Sequence, residues 1–302
     1  VVPGKAIVTD AQTCGNLLAG VGPLAIERGL VAAAGETTTV RIRIMNPTVG
    51  FADARVRTPG GRVRYDGGTT MAGTPFPAAP VHIAFPGSDT PVFPTGRLVD
   101  RFAGVEVTCV DAGMPVVLVR ATDLGIDGTE PPESLEADRA LRSTVEAIRL
   151  EAGPAMGIGD VRDMTVPKVS IVSPPRQGGT LTTRTFIPHR VHTAIGVLGA
   201  VSVAVGVRTA GTVASSSTMD GDGISIEHPT GTFDVVVELS GEGAASRVRR
   251  YPEAAIGRQN VIRWRLVLGE GLRPGLRRID QRAVDRRQVP RAARESLCDT
   301  LH

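Results

Sequence analysis

Two short polar clusters carry residue types suited to moving a proton beside a carboxylate. Cys14-Gly15-Asn16 opens one apolar stretch, and His189-Arg190-Val191-His192 opens another. A thiol at a helix N-terminus is a base near neutrality, because the helix dipole and the free backbone N–H groups stabilise its thiolate. Gly15 lets the backbone approach a ligand closely, and Asn16 offers an amide to a carboxylate or enolate oxygen. In the second cluster Arg190 supplies a planar fork that matches a carboxylate, flanked by His189 and His192. Each group also has a plainer reading: an isolated cysteine is usually a small buried apolar residue, and histidines can cap a strand-to-helix turn. The i, i+3 spacing of the two histidines, without a nearby acid or cysteine, does not indicate a metal site. The expectation is therefore Cys14 as the catalytic thiol, with Gly15, Asn16, His189, Arg190 and His192 binding an anion. His228 and Asn46, each in a Pro-Thr turn, are further candidates that turn chemistry alone would explain as well.

These clusters recur at equivalent places in two similar stretches. The first runs through LLAGVGPLAIERGL into TTVRIRIMNPTVGFADARVRTPGGRV, and the second through TAIGVLGAVSVAVGV into GISIEHPTGTFDVVVELSGEGAASRV. Each reads as a helix of small and aliphatic residues followed by a strand, a Pro-Thr turn with Gly, and a returning strand. Four elements in one order indicate duplication, with two helix N-termini facing a shared anion pocket. The helices are expected over 14–30 and 190–206, both buried because they are apolar on all sides.

A third helix is expected from Ser134 to Ala152, with Leu135, Leu141, Val145, Ile148 and Leu150 among charged residues, as a surface helix covering a sheet edge or linking the halves. Strands are expected at 40–45, 52–57, 105–110, 115–120, 166–172, 181–187, 224–228 and 233–239. The Gly-, Pro- and Thr-rich stretch from Asp66 to Pro94 reads as loop, and Cys109, in the alternating run VEVTCVDAG, as core. The organisation expected is a first half at 1–155, a second half at 156–246, and an Arg-rich tail at 247–302 that reads as disordered.

Composition narrows the class. The chain of 302 residues is 41% hydrophobic, enough for two ordinary cores, and holds no apolar run of the roughly 18 residues that a membrane span requires. The start VVPGKAIVTD lacks the pattern of a signal peptide, and Val1 in place of Met reads as the start of a fragment. Three widely spaced cysteines without a CxxC fit neither a disulfide framework nor a zinc site, so a cytoplasmic location is expected. Positive charge is concentrated in the tail, where 14 arginines face six acids. A basic arm of this kind could contact nucleic-acid phosphates, yet it has Trp264 and no aromatic interleaving for base stacking. Nucleic acid and membrane are not expected as partners.

The runs CGNLLAGVGPLAIERGLV, VTCVDAGMPVVLVRATDLG, LEADRALRSTVEAIRLEAG and TTRTFIPHRVHTAIGVLGAVSVA resemble the 4-oxalomesaconate tautomerase branch of the 2-methylaconitate isomerase family. The resemblance spans roughly residues 5 to 246. It implies an α+β, diaminopimelate epimerase-like fold: two pseudo-symmetric halves, each a central helix wrapped by a mostly antiparallel sheet. It also implies a cofactor-independent isomerase acting on a tricarboxylic keto acid in gallate or protocatechuate breakdown, with a homodimer as one expected assembly. A 2-methylaconitate cis–trans isomerase, an inactive remnant, and nucleic-acid binding through the basic tail are the alternatives. The chain departs from the pattern in several places. Ala112 stands where relatives commonly have Asn, NPTVG replaces Asn-Thr-Gly, and the Ser-Lys pair whose Lys works opposite the thiol is missing. The two lysines are Lys5 and Lys168, and neither follows Ser. The tail from about residue 250 reads as a frame disruption.

Overall fold

The computed structural model describes residues 15–45, 50–70, 76–85, 87, 89–215, 223–250 and 254–256, with backbone alone for residues 16, 249, 250 and 254–256. Cys14, Asn46 and the tail beyond 256 lie outside the described residues.

Helix α1 (Gly15–Glu27) is followed by the hairpin β1 (Thr37–Ile44) and β2 (Gly50–Arg57). Alternation in TTTVRIRI buries Thr38, Val40 and Ile42 on one face, and β2 answers with Ala52, Ala54 and Val56, closing a core over α1. Helix α1 is not wrapped on all sides as expected, since Leu17 and Val21 are exposed. Strand β3 (Val81–Ala84) pairs with β2 inside the stretch expected to be loop. Four residues after Pro80 are too few to show a period, and only the partner strand reveals them.

The larger sheet has seven strands in the order β10-β9-β8-β7-β6-β5-β4. They are β4 (Asp100–Phe102), β5 (Val105–Asp111), β6 (Pro115–Arg120), β7 (Lys168–Ser173), β8 (Leu181–Phe186), β9 (Gly223–His228) and β10 (Gly231–Val236). Its pairings are antiparallel except β6 with β7 and β8 with β9. The parallel β6–β7 pair carries hydrogen bonding across the junction expected at residue 155.

One face of this sheet carries α3 (Arg139–Ala155), preceded by the short α2 (Pro132–Ala137). The expected single helix is broken at Asp138, which leaves α2 in an extended conformation and caps α3 by accepting from the Leu141 N–H at 2.9 Å. Leu141, Val145, Ile148 and Ala152 bury against Val107, Cys109, Val117, Val169 and Ile171, so α3 covers a face and not an edge. The core position expected for Cys109 holds. Arg149 is fully buried, chelated by Glu146 and donating to the carbonyls of Val161, Met164 and Val166, which pins the connection from α3 to β7.

The other face carries α4 (Val197–Arg208), buried from Val197 to Val207. Its packing partners include Val116, Leu118, Val172, Ile224 and Ile226. A helix with apolar residues on every side is stable only when enclosed, and α4 lies between the seven-stranded sheet, at β5, β6 and β10, and helix α1. The helix-then-hairpin order recurs, α1 before β1–β2 and α4 before β9–β10, as the repeat implied. The start of the expected tail is also structured: β12 (Arg247–Arg250) pairs with β11 (Glu238–Ser240), and β13 (Ala254–Ile256) pairs with β3.

Candidate active site

The first residue of α1 abuts the first residue of α4. A Cβ placed on Gly15 would lie 3.0 Å from Cβ of Val197, so the absence of a side chain at Gly15 is what lets the two helix starts touch. No side chain caps α4, whose N-cap is Gly196, and its first internal bond runs from the Ala200 N–H to the Gly196 carbonyl at 2.8 Å. The N–H groups of Val197, Leu198 and Gly199 therefore have no acceptor among the described residues and face outward from the helix, as helix starts do. The β5–β6 turn is fastened to this end of α4. Ser202 Oγ donates to the Met114 carbonyl at 2.7 Å and accepts from the Ala112 N–H at 3.2 Å. Gly113, at φ +93°, brings the turn against Leu198.

The segment leading into α4 differs from the expectation. The helix was expected from residue 190, but Pro188 sits second in a tight turn closed by the Ile187 N–H donating to the Arg190 carbonyl at 2.7 Å. The chain then returns beside β8, with a bridge between Phe186 and Val191 and the His192 N–H donating to the Thr185 carbonyl. Helix geometry begins only after Gly196. Proline before the polar cluster was the signal for this turn.

Consequently the four-residue cluster is divided. Arg190 pairs with Glu136 at 2.9 Å, and the same carboxylate accepts from the Val191 N–H at 2.8 Å. His189 lies 3.9 Å from Glu146. These contacts join the turn to α2 and α3. His192 instead faces the α4 side, and its Nδ1 accepts from the Ala194 N–H at 2.9 Å. Burial, then the charge of Lys168 and the ring of His228, push the His192 imidazole down to about 4. A neutral ring that accepts at Nδ1 carries its proton on Nε2, so His192 presents a donor. Burial likewise lowers His228, whose Nδ1 lies 3.3 Å from Thr230 Oγ1. Thr230 Oγ1 in turn donates to the Thr193 carbonyl at 2.9 Å, tying the β9–β10 turn to the approach to α4.

Cys14 immediately precedes α1 in the chain, and of the expected site residues Gly15 and His192 are the ones the described structure places toward the start of α4. Cys109, by contrast, is held by burial at about 12 and is an inert thiol. No group of three or more candidate metal ligands occurs among the described residues. Among them, too, no helix is long and apolar enough to cross a membrane.

Residues 2–259 match the family described as PrpF protein. The chain belongs to the PrpF family. It is 51% identical over 247 residues to the 4-oxalomesaconate tautomerase of Pseudomonas putida, covering 79% of this chain and 68% of that protein. Identity to the (4E)-oxalomesaconate Delta-isomerase of a Novosphingobium species is 49% over 249 residues, covering 79% and 69%. The crystal structure of methylitaconate-delta-isomerase superposes with a TM-score of 0.67 at 26% identity, over 83% of this chain and 73% of that one. The family that the quoted runs resemble is thus the family of this PrpF chain, and its fold is the diaminopimelate epimerase-like α+β fold expected of it. Its named relatives are isomerases.

Proposed function

We propose that this PrpF-family chain is a cofactor-independent isomerase that interconverts tautomers of 4-oxalomesaconate. The observation that carries the reading is the contact between the starts of α1 and α4, with the uncapped N–H groups of α4 beside it. The residue before α1 is Cys14, and a thiol in that place has its thiolate favoured by the dipole and N–H groups of the helix. In the proposed step the Cys14 thiolate takes a proton from the carbon next to the keto group. The electron pair moves into the carbonyl, and the enolate oxygen is stabilised by backbone N–H donors. Return of a proton to oxygen completes the enol, and the reverse sequence restores the ketone. Electrons stay within the substrate, so no redox cofactor takes part. The substrate's carboxylates suit a site built on helix N-termini, and Asn16 and His192 are the side-chain donors assigned to it. The reaction belongs to gallate or protocatechuate breakdown in the cytoplasm.

A second reading is an allylic shift, in which the proton returns to carbon and a C=C bond migrates. The 49% identity to a protein named as a Delta-isomerase favours it. Spectroscopic loss of the enol of 4-oxalomesaconate, with proton NMR of the product, separates the two. Cys14→Ala is expected to lower kcat on the order of 100-fold to 10,000-fold. Equal turnover by the wild type and Cys14→Ala removes the thiol from the mechanism, and no turnover by the wild type favours the remnant.

A further inference from the structure

A buried cation lies at the same end of α4 and was not among the site residues expected from sequence. Lys168 is the first residue of β7 and pairs with Val116 of the parallel strand β6. Val116 belongs to the core that contains α4, so Lys168 shares that face of the sheet, whereas the next residue, Val169, joins the α3 core. Lys168 is only 8% exposed. Strands β6 and β7 both start at the end of the sheet where Gly113 meets Leu198, which is where α4 begins. His192 donates its backbone N–H to the carbonyl of Thr185, whose partner on β7 is Ser170, two residues from Lys168, and Lys168 and His228 each act electrostatically on the His192 ring. Lys168 and His192 are thus neighbours on the α4 side of the sheet.

We propose that Lys168 is a specificity-determining residue that binds one carboxylate of the substrate, together with the Nε2–H of His192. The inference rests on the isomerase reading and supplies the cation for it. Arg190 and His189 are paired with Glu136 and Glu146, and His192 is neutral at physiological pH. Lys168 brings a positive charge to this side of the sheet, where it also has contacts of its own. An ammonium has three donors, so it can serve a carboxylate and keep its other contacts.

The test uses the full 302-residue chain with Lys168→Met and Lys168→Arg. KM and kcat are measured for 4-oxalomesaconate, and calorimetry gives the Kd for tricarballylate, a saturated tricarboxylate. Lys168→Met is expected to raise KM and the tricarballylate Kd about 10- to 100-fold, the range for a lost hydrogen bond to a charged group, with a smaller fall in kcat. Lys168→Arg is expected to give intermediate values, because a planar fork replaces a point charge. A Lys168→Met variant that melts as the wild type does and keeps KM and Kd overturns the proposal. If that variant does not fold, an unchanged tricarballylate Kd in Lys168→Arg overturns it. Wild-type turnover insensitive to Lys168→Met removes this inference alone. Lys168-dependent tricarballylate binding without turnover removes the isomerase reading alone.

Discussion

Replacing Gly15 by Ala tests whether contact between the two helix starts sets the geometry of the reaction. The added Cβ would lie 3.0 Å from Cβ of Val197, and that atom is fixed to the α4 backbone. Ordinary carbon–carbon contact begins near 3.4 Å, so the starts of α1 and α4 must give by a few tenths of an ångström. Rotating Val197 gives no relief, since its Cβ does not move with χ1. Overpacking of this kind costs about 1–3 kcal/mol in stability, and since a displacement near 1 Å at a reacting centre can cost about 100-fold in rate, a few tenths of an ångström should cost about 3- to 10-fold. The expected outcome is a fall in kcat of about 3- to 10-fold with the fold retained. Enol loss from 4-oxalomesaconate reports the rate, and circular dichroism melting reports the fold. Val197→Gly removes the opposing Cβ, so the double variant is expected to recover part of the lost rate even though Val197→Gly alone weakens α4. The two changes should therefore couple by about 0.5–3 kcal/mol. Wild-type kcat in Gly15→Ala, or strictly additive effects in the pair, would refute the claim that this contact positions the chemistry.

Two further outcomes concern stability and thiol reactivity. Glu227 is 3% exposed and accepts from the N–H groups of Arg176, Gln177 and Gly179 and from Thr182 Oγ1. Burial alone would raise its carboxyl, but these four donors prevail and lower it from 4.5 to about 2. Its contribution is thus fully present above about 4.5 and is lost as pH falls toward about 2. Glu227→Gln turns an amide NH₂ toward these donors and is expected to cost about 2 kcal/mol or more at neutral pH, with a smaller difference from wild type in acid, measured by urea melts across pH. A gap that widens in acid would contradict the assignment. Cys109, buried under α3 and held at about 12, should resist iodoacetamide at pH 8 in the folded chain and react after denaturation, as read by mass spectrometry of its peptide. Alkylation of Cys109 in the native chain at the rate of a free thiol would show that α3 does not seal this face.

The repeat was legible because its signals are local. Small aliphatic residues around a whole helix, alternation in TTTVRIRI, and a Pro-Thr turn between strands each follow from period and turn chemistry. Strand β3 was not legible, since four residues carry too little pattern and their pairing depends on β2. The break at Asp138 and the turn at Pro188 each left a sequence signal, a helix-capping acid and a proline, that was outweighed by the surrounding helical pattern.

The sequence by itself determined which residue types could move a proton and that two similar helix-and-hairpin units would carry them, since both follow from side-chain chemistry and short-range periodicity. Only the tertiary structure decided which charges belong together. Pro188 turns the chain back along β8, so Arg190 and His189 meet the acids of α2 and α3, while His192 comes within electrostatic reach of Lys168 and His228. Lys168 is distant in sequence from the β5–β6 turn, and strand register alone brings the two together near the start of α4. Register is a property of paired strands, and no single segment contains it.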